Sequence, residues 1–279
     1  MSTETRIRLD HASLRVAEFD AARARLARLG LELTQTPEAP ERHGRIHLHR
    51  TYVEVSLPTT QPLAPGHEAE LPLFFLNAED VTAAAGRLSS RGLKSTPRTY
   101  HGVDGVWEEL QLESPASSLL PLVIRRVAPT AVAQNWPPPR PTPHPCGAVT
   151  LEAVVLVTKR LEVAWDSYRR LLGLEGQPRI FHDAHYAARR AEVPLPNGRL
   201  VLLEAGGPGP AETALARHGP GPAGVQFGVQ DLLATEAFLA QQGLRFERSR
   251  STAPVPELWL DPSETFGVPL GFIPASPLT

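Results

Sequence analysis

The chain has one cysteine in 279 residues, so it cannot form an internal disulfide, and no cysteine cluster can hold zinc or an iron–sulfur centre. That residue, Cys146, has no nucleophile signature around it and reads as inert. Lysine is almost missing: Lys94 and Lys159 are the only two among 28 basic residues, the rest being arginine. The formal net charge is -2, so no basic excess draws the chain to nucleic acid or to an anionic membrane. No apolar run approaches the roughly 18–20 residues that span a bilayer. The opening Met-Ser-Thr-Glu-Thr-Arg lacks the apolar core of a signal peptide. These absences lead to the expectation of a soluble, cytoplasmic protein with neither membrane nor nucleic-acid partner. With 42% hydrophobic and 21% charged residues, the composition is that of a globular chain rather than a disordered one.

What the chain does have is a pattern that occurs four times. Each copy opens on an apolar run, turns at an acidic or polar residue, continues as an amphipathic helix and ends on Gly-Leu. The runs begin at Leu9, Leu71, Val149 and Gly224, and the closing pairs are Gly30-Leu31, Gly92-Leu93, Gly173-Leu174 and Gly243-Leu244. Each glycine suits a left-handed helix C-cap. Strand-like runs follow every pair, for example Tyr52-Val-Glu-Val-Ser-Leu57 and Leu200-Val-Leu-Leu203. The unit is therefore βαβββ, and the fold class is α+β. Between the second and third copies, Trp136-Pro-Pro-Pro-Arg-Pro-Thr-Pro-His-Pro145 is too proline-rich for a helix or a central strand and reads as a semi-rigid linker. This divides the chain into residues 1–128, a linker over 129–145, and residues 146–279, with two modules in each half.

Paired βαβββ modules, the Leu9-Asp-His11 opening and the His144-Pro-Cys-Gly147 junction resemble the vicinal oxygen chelate superfamily. That group includes glyoxalase I, extradiol dioxygenases, methylmalonyl-CoA epimerase and the bleomycin-resistance binding proteins. The resemblance implies two cup-shaped mixed sheets, each built from paired modules with helices outside. It also implies a divalent metal (Zn, Ni, Fe or Mn) held in the cup, and no nucleotide cofactor. The ligands would be a first-strand His and a last-strand Glu in each module. In the first module these are His11 and Glu54, with Glu54 also the candidate catalytic base. Arg15, Tyr52 and Phe74 are the candidate substrate-binding residues, with Pro72, Phe74 and Leu76 forming an apolar cup wall. The corresponding positions of the other modules fall at Pro72 and about Val123, at Glu152 and about Val201, and at Gly224 and Gly271, so the second half reads as metal-free.

Other readings of the same residues stay open. Without a metal, Glu54 would pair with Arg15, Arg125 or a ligand cation. His47 and His49, two apart, would share an exposed strand face, as Glu109 and Gln111 would. His182 and His185 fall in a loop. Two functions from different classes remain. One is a glyoxalase-like lyase, isomerase or dioxygenase acting on a small oxygenated molecule. The other is a metal-free cup that only binds such a molecule. Homodimerisation is compatible with either.

Overall fold

The computed structural model describes residues 7–35, 42–58, 62–102, 105–113, 122–129, 144–249 and 255–277. The proline-rich segment over residues 130–143 lies outside them. The first module is β1 (Arg8–Val16), α1 (Phe19–Arg28), β2 (Thr34–Gln35), β3 (His43–Leu48) and β4 (Thr51–Ser56). The second is β5 (Ala69–Asn77), α2 (Val81–Ser90), β6 (Lys94–Gly102), β7 (Gly105–Glu113) and β8 (Leu122–Pro129). The third is β9 (Ala148–Thr158), α3 (Leu161–Leu172), β10 (Phe181–Asp183), β11 (Ala188–Leu195) and β12 (Gly198–Ala205). After an inserted helix, α4 (Pro210–His218), the fourth is β13 (Gly221–Val229), α5 (Leu232–Gln241), β14 (Phe246–Arg248), β15 (Leu258–Leu260) and β16 (Leu270–Pro274).

The strands form two eight-stranded mixed sheets, each curled into a half-barrel. One has the order β2-β3-β4-β1-β5-β8-β7-β6 and the other β10-β11-β12-β9-β13-β16-β15-β14. The module pairing that the sequence left open is therefore first with second and third with fourth. The two modules of each sheet meet at an antiparallel seam, β1 against β5 and β9 against β13.

Strand alternation sends one set of side chains to the helices and the other into the cup. On β1, Ala12, Leu14 and Val16 are buried under the helices, and on β4 so are Val53 and Val55. Burial of each large apolar side chain on this face contributes about 1.5–3 kcal/mol. The helix-side core runs without a break from the first half into the second, from Leu9 and Phe74 through Cys146 to Val225 and Phe272. Gly30, Gly92, Gly173 and Gly243 all have φ between 64° and 73°, the left-handed region expected where each helix ends. At Gly30 close approach adds a second requirement, since a Cβ there would lie 2.7 Å from the Cys146 backbone nitrogen.

Candidate functional site

The concave face of the first sheet is built by β3, β4, β1 and β5, and two bulges decide what it presents. On β1, Leu9 pairs with Leu76 and His11 with Phe75, so Asp10 is an extra residue without a partner. An inserted residue resets the alternation and re-aims a side chain. Asp10 and His11, neighbours in sequence, can therefore meet, with Asp10 Oδ1 2.7 Å from His11 Nδ1. A His11 that donates its Nδ1–H to Asp10 keeps Nε2 as a proton acceptor. The His11 ring is clamped, stacked on Tyr52 at 4.3 Å and on Phe75 at 4.0 Å between ring centres. Beyond Tyr52 the row continues, with Arg45 Cζ 4.6 Å from the centre of the Tyr52 ring. The cup floor is thus a four-strand ladder, Arg45, Tyr52, His11 and Phe75. The Tyr52 ring is in contact with both His11 and Arg45.

The second bulge lies on β5. Ser13 pairs with Leu73 and Arg15 with Glu70, which inserts one residue between them, at Leu71-Pro72. Proline cannot donate to the ladder, so it suits a bulge. The shift corrects the expected cup wall: Phe74 and Leu76 are buried on the helix side, paired with Ala12 and Leu9, while Phe75 and the 39%-exposed Leu73 face the cup. Ser13 pairs with Leu73 as His11 pairs with Phe75, so the first-strand counterpart of His11 in the second module is Leu73, one residue past the expected Pro72.

Glu54 lies one ladder step beyond, beside Ser13. Its Oε1 is 2.6 Å from Nε2 of His43 on β3. Burial pushes the Glu54 carboxyl up, but the His43 hydrogen bond and the charges of His11, His43 and Arg45 outweigh it and hold the pKa at about 2. Glu54 is an anion at neutral pH, and it is hydrogen-bonded to His43 rather than to Arg15. Arg15 reaches the cup rim with Nη1 3.2 Å from Glu70 Oε1, so its charge is already answered there. His43 and Arg45 are the site residues that the sequence reading missed. The signal was the alternation in His43-Gly-Arg-Ile-His47, which puts every second side chain on one face. His49 does not share that face: β3 ends at Leu48, and the His49 N–H donates to the Val149 carbonyl at 2.7 Å. Burial, with Arg45 and His144 nearby, lowers His47 to about 4. On the far wall, the buried Leu110 and Leu112 fix the opposite parity for Glu109, and burial raises its pKa.

The second cup is closed. Val155, Tyr186, Leu203, Ala211 and Trp259 pack into a core of their own, with α4 as its cover. Gly271 makes room for this, because a Cβ there would lie 2.8 Å from the Trp259 ring. Arg190, fully buried, pairs with Asp183 and Glu257 at 2.9 Å each. Glu152 is a bulge residue like Asp10, since Gln226 pairs with Ala153 and Phe227 with Leu151. The counterpart of His11 is therefore Ala153, and that of the fourth module is Gly224, which pairs with Val155 as Ala153 pairs with Gln226. The Glu152 carboxylate accepts from Thr150 Oγ1 at 2.8 Å, Ser276 N at 2.8 Å and Ser276 Oγ at 3.0 Å. His185 stacks on Trp259 and bonds Glu247, away from the cup of the first half. Burial pushes the Cys146 thiol up to about 11, which leaves it unreactive.

The donor chemistry of the first cup falls short of a usual metal site, which wants three or four protein ligands. His11 and Glu54 supply two, and among the described residues no group of three His, Cys, Asp or Glu side chains could hold an ion. Among the same residues, no helix is long and apolar enough to cross a membrane.

Comparison with known proteins agrees with this architecture. A mutant of 4-hydroxymandelate synthase from Streptomyces coelicolor superposes with a TM-score of 0.64 at 16% identity, covering 98% of this chain and 93% of its own; the likeness is one of fold. Methylmalonyl-CoA epimerase from Mycobacterium tuberculosis aligns at 23% identity with a TM-score of 0.42, covering 47% of this chain and 91% of its own. The Streptomyces coelicolor epimerase, solved with 2-nitronate-propionyl-CoA, aligns at 20% identity with a TM-score of 0.41, covering 46% and 99%. A search of curated proteins returned no match. The family model of the glyoxalase-like domain matches residues 9–172, more than half of the chain and all of the first cup. The chain therefore belongs to the glyoxalase-like domain family, within the vicinal oxygen chelate superfamily.

Proposed function

We propose that the first cup binds a small oxygenated organic molecule and withdraws a proton from it, with His11 as the acceptor. One observation carries this reading: the His11 ring is fixed between Tyr52 and Phe75, and its Nδ1 is held by Asp10. Asp10 stabilises the imidazolium that forms when Nε2 takes a proton, and the stacked rings hold the imidazole in one orientation. Glu54, ionised and held by His43, keeps the floor negative beside Ser13. Leu73 and Phe75 offer an apolar bed for the carbon skeleton, so the substrate class is a carbonyl compound with an acidic C–H and an apolar end. A panel of α-hydroxy and α-keto carbonyl compounds incubated in D2O, followed by NMR, tests it. Deuterium incorporation that falls by a factor of about 10²–10⁴ in His11→Ala is the expected result. Ligand-induced thermal stabilisation without exchange would reduce the function to binding, and neither effect across the panel would reject both.

A second reading rests on His11 and Glu54 standing on adjacent strands of one face. It has Zn, Ni, Fe or Mn bound there, with ligands beyond these two completing the site. Elemental analysis decides it: about one equivalent of metal, lost in His11→Ala, would establish this reading, and metal retained in that variant would end it.

A further inference from the structure

Away from both cups, two histidines from different halves meet. His67 stands in the turn before β5, and His218 is the last residue of α4, the helix that covers the second cup. Their ring centres are 5.2 Å apart with the planes at 75°. His67 Nδ1 is buried and has no hydrogen-bond partner among the described residues. An orphaned imidazole nitrogen is a cost that a bound group would remove. We propose that His67 and His218 form a two-histidine site for a borderline divalent cation such as Zn²⁺, which ties α4 to the first half of the chain.

The ring separation suits such an ion. With metal–nitrogen bonds of about 2.0–2.1 Å at a tetrahedral angle, the centres of two imidazoles on one cation lie roughly 5 Å apart. His218 is exposed, so water can fill the remaining positions. Partial burial, with His67 and Arg217 nearby, lowers the pKa of His218, which favours the neutral, ligating ring. The neighbouring side chains are held elsewhere: Arg217 Nη1 donates to the Gly267 carbonyl at 3.3 Å, and Glu68 is held by Arg25 at 2.8 Å. With only two protein ligands, the affinity falls below that of a three- or four-ligand structural site.

Calorimetric titration of the metal-free protein with ZnCl2, paired with thermal unfolding, is the test. Wild type should bind about one equivalent and gain thermal stability. His67→Ala and His218→Ala should each lose that binding by at least tenfold, while His11→Ala should keep it, which separates this site from any metal in the cup. Circular dichroism of the two variants establishes that they remain folded. No binding below millimolar Zn²⁺ in wild type would overturn the proposal and leave the pair as a plain edge-to-face ring contact. So would binding that survives in either His67→Ala or His218→Ala.

Discussion

His43 decides the charge of Glu54. A half-buried carboxyl on a cup floor would ordinarily titrate upward, yet this one is drawn down from 4.5 to about 2 because a histidine and an arginine stand beside it on β3. A folded pKa below the unfolded one means that the native state holds fewer protons. The stability it contributes is complete above about 4.5 and is lost as the pH falls toward 2. His43→Ala removes the hydrogen bond and one of the favourable charges, leaving burial to act with less opposition. The Glu54 pKa then rises toward its unfolded value, so the variant has less stability to lose between pH 4.5 and 2 and its profile is flatter there than that of wild type. Urea unfolding across pH 2 to 6, in steps of about half a unit, measures this. Superimposable pH profiles for the two proteins would show that the pair contributes nothing.

At the scale of the element, the concave face is set less by strand periodicity than by where the periodicity slips. The Asp10 bulge brings a carboxylate to His11, and the bulge at Leu71-Pro72 exchanges Phe74 for Phe75 as the cup residue. Phe74→Ala should therefore cost about 3–5 kcal/mol of stability, the usual price of an emptied aromatic core site. Phe75→Ala should cost far less, but release the His11 ring and weaken ligand binding or proton exchange. Thermal unfolding with the deuterium assay reads both; equal losses of stability would contradict the register. The sequence carried the four modules well, because amphipathic helices and their closing glycines are local signals. It could not carry the bulges, since one extra residue is a property of two paired strands. Pro72 was the available clue, a residue unable to donate to the ladder. The helix α4 was missed for a related reason: Gly209-Pro210 begins it with a proline at its first turn, but the segment through Arg217 and Pro222 reads as a polar connection. His11, Glu54, Arg15 and Tyr52 could be placed on the concave face by alternation alone, whereas His43 and Arg45 depended on knowing where β3 begins.

For the whole molecule, the repeat suggests two separable halves, and the packing joins them. Asn197 Oδ1 accepts from the Leu9 N–H and its Nδ2 donates to the Leu9 carbonyl, each at 2.9 Å, so a turn of the second half completes the backbone pairing of β1. Thr51 Oγ1 accepts from the Leu151 N–H at 3.2 Å. At the junction, His144 spends both nitrogens: Nδ1 accepts from the Glu32 N–H at 3.0 Å, and Nε2 donates to the His47 carbonyl at 2.9 Å. Together with the unbroken helix-side core, these contacts predict that the chain melts in one cooperative step, although it carries two sheets. Asn197→Ala leaves the Leu9 backbone groups unpaired and should destabilise by about 1–3 kcal/mol, a fall of roughly 2–4 °C for each kcal/mol in a protein of this size. Because His11 lies two residues from Leu9, the same change should loosen the cup floor and weaken ligand binding there. Differential scanning calorimetry of wild type and variant reads the result. A single peak that moves as a whole is expected. Two peaks, only one of them shifted, would mean that the first cup holds its shape without the second half, and the closed cup would then have no part in supporting the open one.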